Sequence, residues 1–188
     1  MKSLEKSNRK FKKIEIEMDD TTMLFLNNSL SSSIFINILK YFEKISFDIG
    51  YPSSDFDSII EAITKLMQNE IPQIKIKVCI NLLPSVDDSM FYDCSYLSEI
   101  EIPTTVTSIG NSSFSKCVSL LHIDIPSSVQ SIGESAFNEC KSLKKISIPP
   151  SVSLIENSTF NKCSSLIKIL IPSSVQSIGN SAFNECSS

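Results

Sequence analysis

The sequence predicts a solenoid of short parallel strands joined by irregular or 3₁₀ arms, with a small α+β region at its N-terminal end. Three observations carry this reading. Cys94, Cys117, Cys140, Cys163 and Cys186 recur at one constant step of 23 residues. The same step relates Phe91, Phe114, Phe137, Phe160 and Phe183, and also Leu97, Leu120, Leu143 and Leu166. Two segments, IPSSVQSIGESAFNEC and IPSSVQSIGNSAFNEC, differ only at Glu134 and Asn180. A repeat of this length is a supersecondary unit that cannot bury its apolar side alone and must stack on its neighbours.

Each unit reads L-x-x-I-x-I-P-x-x-V-x-x-I-G-x-x-x-F-x-x-C. The isoleucines of its first part alternate with period two, which predicts a short strand with one buried face. Pro103, Pro126, Pro149 and Pro172 end the strands, since proline has no N–H for a further rung. Val, Ile and Phe then follow at spacings too irregular for a long helix, which predicts a tight returning arm. Gly110, Gly133 and Gly179 mark a bend in it. Glu156 stands at the matching place in another unit, so the bend does not require a positive φ.

The whole chain has 188 residues, of which 41% are hydrophobic and 20% charged, with a net charge of −4. This is an ordinary soluble balance, and a basic nucleic-acid-binding patch is not expected. The longest apolar run, 34–42, is about half the roughly 18 residues that span a bilayer, so membrane insertion is not expected either. MKSLEKSNRKFKK is basic but lacks the apolar stretch of a secretory signal. These features point to a cytoplasmic location.

The run L-x-x-I-x-I-P-x-S-V-x-x-I-G-x-x-A-F-x-x-C resembles the BspA-type leucine-rich-repeat family of bacterial and protozoan surface and interaction proteins. The resemblance covers about residues 94–188. It implies an α/β-type leucine-rich-repeat solenoid with its parallel strands on a concave face, and a binding role. Because the family includes adhesins, it also implies the cell surface as an alternative location.

Chemistry-bearing residues are few. The cysteine column reads as small apolar thiols buried one per coil, rather than a disulfide ladder or metal site, because no C-x-x-C or H-x-x-x-H pair accompanies it. His122 is the only histidine. It falls at an outward strand position, away from the buried Cys117, so a Cys–His nucleophile is not expected. No cofactor, metal or catalytic residue is assigned. The glycosylation-type triplets at Asn27, Asn111 and Asn157 are better explained by turn chemistry, since two of them share one repeat position.

Positions that stay constant between coils serve the shared core, and positions that drift are free of it. Two drifting outward columns read Glu99, His122, Lys145, Lys168 and Glu101, Asp124, Ser147, Leu170. A flanking one reads Ser98, Leu121, Lys144, Ile167. These two outward columns are the candidate contact face for a protein or peptide partner; plain solvated surface is the alternative reading.

Residues 1–75 carry no repeat. Lys12–Met18 alternates like a strand, and 19–22 reads as a turn. Helices are expected from Ser31 to about Ile45 and from Asp57 or Ser58 through Asn69, with Ile74–Ile80 as a strand opening a degenerate first coil. Residues 1–75 thus form an expected cap, and 76–188 the solenoid. Leu30–Phe42 faintly resembles the first helix of an F-box, which implies a ubiquitin-ligase adaptor as a second alternative. The chain stops after Cys186 in mid-coil. This predicts either a longer array or self-association through an uncapped C-terminal end.

Overall fold

A computed structural model describes residues 84–95 and 97–186, together with strands at 14–18, 44–49 and 75–80. In chain order the strands are β1 (Ile14–Met18), β2 (Lys44–Ile49), β3 (Lys75–Ile80), β4 (Ser85–Val86), β5 (Leu97–Glu101) and β6 (Ser108–Ile109). They continue with β7 (Ser131–Ile132), β8 (Lys145–Ser147), β9 (Leu154–Ile155), β10 (Lys168–Leu170) and β11 (Ser177–Ile178). All pairings are parallel. This is what stacked coils produce, because each coil returns the chain to the start of the next rung.

β1, β2, β3 and β5 form one sheet in that order. Isolated bridges from Glu101 to Asp124 and from His122 to Lys145 carry the ladder on to β8, which pairs with β10. The expected strands at 12–18 and 74–80 are thus present, and they join one continuous strand face. Ile14 pairs with Ile45 and Ile45 with Ile76, a constant step longer than the one that follows. Between β3 and β5 the register shifts: Ile76 faces Leu97 but Lys77 faces Glu99, leaving Ser98 as an extra, buried residue.

The helix expected to reach Ile45 is corrected at its end. Lys44 and Ile45 open β2, because Ile45, Phe47 and Ile49 alternate with period two and pair on both sides. The remainder of that helix, the helix at 57–69, the turn at 19–22 and the F-box-like segment at 30–42 lie outside the described residues.

The arms differ from the expected irregular form in one respect. They carry a second parallel ladder, β4–β6–β7 and then β9–β11, at the V-x-x-I part of each unit. No 3₁₀ turn occurs among the described residues. After each strand, Val106, Val129, Val152 and Val175 donate their N–H to the carbonyls of Pro103, Pro126, Pro149 and Pro172, closing the turn into the arm.

Beyond the second ladder each arm makes hydrogen bonds to the next coil at alternate residues. Ser112, Phe114 and Lys116 donate to the carbonyls of Glu134, Ala136 and Asn138. Ser135, Phe137 and Glu139 donate to Asn157, Thr159 and Asn161 in the same way. Aiming these N–H groups along the stack puts two non-glycine residues per coil in the left-handed region, such as Ser112 (φ 52) and Lys116 (φ 64). Each costs on the order of 1 kcal/mol, which an isolated coil has nothing to offset. The second of these positions reads Asp93, Lys116, Glu139, Lys162, Glu185, so charge alternates from coil to coil; Lys162 lies 4.0 Å from Glu139.

The core consists of columns. Phe91, Phe114, Phe137 and Phe160 are fully buried, and their rings stack with Phe183 at centroid separations of 5.2 to 5.5 Å, within 7° of parallel. Leu97, Leu120, Leu143, Leu166 and the strand isoleucines Ile100, Ile123 and Ile146 fill the other side. Burying each such side chain contributes about 1.5–3 kcal/mol.

Glycine at the bend has a spatial reason. As expected, none of the bend glycines, Gly110, Gly133 and Gly179, has a positive φ. A Cβ on Gly133 would come within 2.7 Å of the Asn111 backbone nitrogen and 2.6 Å of its Oδ1. Gly110 meets Asp88, and Gly179 meets Asn157, in the same manner. That close approach lets Gly110, Gly133 and Gly179 donate to Val86, Ile109 and Ile155 carbonyls at 2.7 to 2.8 Å. It also lets Asp88, Asn111 and Asn157 accept from the backbone N–H of Asn111, Glu134 and Asn180. Where Glu156 replaces the glycine and Glu134 replaces the Asx, the second ladder breaks, between β7 and β9. Converting that junction with Glu134→Asn and Glu156→Gly should therefore join the two ladders and raise the unfolding free energy by about 1 kcal/mol, two new hydrogen bonds less the entropy cost of glycine. Urea melts of the double variant measure this; an unchanged or lower midpoint would mean the break has another cause.

Candidate functional site

The outward positions of the strand face are where side chains are free of the stacking constraint. The register sets them in columns: Lys77 beside Glu99, His122 beside Lys145, and Lys145 beside Lys168. The second column places Cys79 beside Glu101, Glu101 beside Asp124, and Ser147 beside Leu170. Glu101, His122, Asp124, Lys145, Ser147, Lys168 and Leu170 are exposed, and Glu99 is half-buried. The structure thus brings all eight sequence-derived positions onto one face.

Sequence reasoning missed that the columns extend further. In register, Glu15 and Ser46 precede Lys77, while Glu17 and Asp48 precede Cys79. A signal for this existed. Lys13-Ile14-Glu15-Ile16-Glu17-Met18, Lys44-Ile45-Ser46-Phe47-Asp48-Ile49 and Lys75-Ile76-Lys77-Val78-Cys79-Ile80 share one alternating pattern at a constant step. A search tuned to the 23-residue step passes over it.

The polarity of the face changes along the stack. Glu99, Glu101 and Asp124 make one part acidic, while Lys144, Lys145 and Lys168 make the last rungs basic. Ile167 is 80% exposed and Leu170 47%, next to those lysines.

The cysteines sit on the opposite side of the wall, in the core. Cys117, Cys140, Cys163 and Cys186 donate their thiol hydrogens to the carbonyls of Phe91, Phe114, Phe137 and Phe160, each at 3.1 Å. Cys94, Cys117, Cys140, Cys163 and Cys186 are all unbridged. Burial, and then the neighbouring thiols, push Cys117 and Cys140 well above the ordinary thiol value. Burial raises Cys163 to about 12 and lifts Cys186 as well. These are the opposite of the conditions that activate a nucleophile. His122 lies exposed on the strand face while Cys117 is enclosed, so the two form no dyad.

Among the described residues no cluster of three His, Cys, Asp or Glu is placed to hold a metal ion. Among them, too, no helix is long and apolar enough to cross a membrane. Asn111 and Asn157 owe their conservation of position to the coil junctions: their Oδ1 atoms accept from the next coil, at Glu134 and Asn180.

A stack of parallel rungs with one columnar core defines a leucine-rich-repeat protein. Residues 84–188 match the model of the BspA type Leucine rich repeat region in 6 copies, and the chain belongs to that family. No match is found among curated proteins. The crystal structure of the leucine-rich repeat protein of T. pallidum is similar to this chain with a TM-score of 0.59 at 20% identity. The match covers 92% of this chain and 70% of that one. A leucine rich cell surface protein from Faecalibacterium prausnitzii gives 0.43 at 24% identity, over 58% of this chain and 45% of that one. A leucine-rich repeat protein from Eubacterium ventriosum gives 0.45 at 25%, over 62% and 38%.

The thiol column makes stability depend on alkaline pH. Unfolded thiols ionise from the ordinary value of 9.0, while the folded Cys163 holds its proton to about 12. Between those values the unfolded chain binds fewer protons, so stability falls as pH rises. Unfolding midpoints should be flat with respect to these groups below pH 9 and should decline from there toward 12. Cys163→Ala should shallow that decline, and an unaltered slope in the variant would separate alkaline loss from this thiol.

Proposed function

We propose that this chain is a non-enzymatic binding module that holds a protein or peptide partner on its strand face. The supporting observation is a contrast between two sides of the same rungs. The inward columns repeat without change through Leu97, Leu120, Leu143 and Leu166, while the outward columns change residue at nearly every coil. Stacking dictates the first and leaves the second open, so outward identity is available to a partner. Proteins built from such repeats generally act by binding, which agrees with this reading.

The residues assigned to contact are Glu99, Glu101, His122, Asp124, Lys145, Ser147, Lys168 and Leu170. Charged positions at both ends would orient a partner and set its rate of capture, and Leu170 would supply apolar area. The enclosure of the thiols, with His122 exposed on the other side of the rungs, supports a binding rather than a catalytic reading.

Site-specific photo-crosslinking tests the assignment. A photoreactive residue replacing Ser147 on the strand face should yield partner adducts in source cells. The same residue replacing Gln130, exposed on the arm, should yield none. Adducts at Gln130 without adducts at Ser147 would move the binding surface to the arms.

A further inference from the structure

Resting on the strand-face reading, we propose that its last rungs, 144–147 and 167–170, take an extended acidic peptide with apolar residues interspersed. Lys145 and Lys168 are direct register partners, so two ammonium groups are stacked on adjacent strands. Like charges placed this way are destabilising. Neither they nor Lys144 form an ion pair with a described carboxylate.

The repeat does not demand this arrangement, since Glu99 and His122 occupy the same column. On the arm the chain alternates sign from coil to coil, at Asp93, Lys116, Glu139, Lys162 and Glu185. Stacked lysines on the strand face are therefore a departure from the pattern the same chain follows elsewhere. A carboxylate laid between them relieves the repulsion.

The neighbouring apolar side chains are a second departure. Ile167 stands where the preceding coil has Lys144, and Leu170 where it has Ser147, yet both are exposed. Lys168 and Leu170 are two residues apart on one strand and so share a face. An extended peptide with an acidic residue two positions from an apolar one matches that spacing.

The two lysine-bearing strands lie about 4.8 Å apart. That spacing suits one extended peptide laid along them, its carboxylates between the ammonium groups and its apolar side chains against Ile167 and Leu170.

Fluorescence anisotropy with the full chain tests the proposal. The probes are a short fluorescein-labelled peptide with Glu and Leu at alternate positions separated by Ser, and its Lys/Leu counterpart. The Glu/Leu peptide should bind more tightly and should weaken with added salt. Lys145→Glu with Lys168→Glu should lower its affinity about tenfold or more. Ile167→Ser with Leu170→Ser should lower it while leaving the salt dependence in place. Equal or tighter binding of the Lys/Leu peptide, or no effect of the charge reversal, overturns the proposal. Crosslinking at Ser147 without Glu/Leu binding overturns it too, while sparing the strand-face reading; loss of the crosslink removes both. A dimer in sedimentation that the charge reversal abolishes would give the face to a second copy instead.

Discussion

Each coil is held in shape by the coil stacked on it. The arm N–H groups of Ser112, Phe114 and Lys116 point along the stack and are satisfied only by the carbonyls of Glu134, Ala136 and Asn138. Left unmade, such bonds cost about 1–3 kcal/mol for each buried donor. The left-handed residues that aim them add their own strain. Phenylalanine rings at 5.2 to 5.5 Å and thiols bonded to phenylalanine carbonyls extend the same dependence into the core. The unit of stability is thus the interface between coils rather than the coil.

That dependence explains which positions are free to change. A residue whose side chain or backbone touches the next coil must match its neighbour, as Gly133 matches Asn111. The substitution at Glu156 shows the penalty for a mismatch, since the second ladder lapses there. Outward strand residues touch no such neighbour in the core. Their drift from Glu99 and Glu101 to Lys168 and Leu170 creates a face whose chemistry differs from one end to the other. Function, on this view, is written in the part of each repeat that stacking leaves unused.

Much of this architecture was legible in the sequence because identical stacked coils force identical residues at a fixed step. The inward columns, the enclosed thiols and the outward direction of His122 and Lys145 all follow from that step. The second ladder was less legible, since Ser108–Ile109 and its equivalents are two-residue strands with no alternation to read. The strand at Lys44–Ile49 was hidden by a step longer than that of the later coils and by an apolar run that suits a helix equally well. The reason for the bend glycines also lay beyond the sequence pattern. Their φ is ordinary, and only the approach of the preceding coil forbids a Cβ.

The interdependence of coils is tested most directly by native-state hydrogen exchange at the amides of Phe114, Phe137 and Phe160, compared between the protein and Phe137→Leu. These amides donate to Ala136, Thr159 and Ala182, so each reports one junction. Trimming the central ring should speed exchange at Phe114 and Phe160 together with residue 137, because both neighbours lose a stacking partner. Faster exchange confined to residue 137 would contradict it, and would mean that each coil holds its own shape.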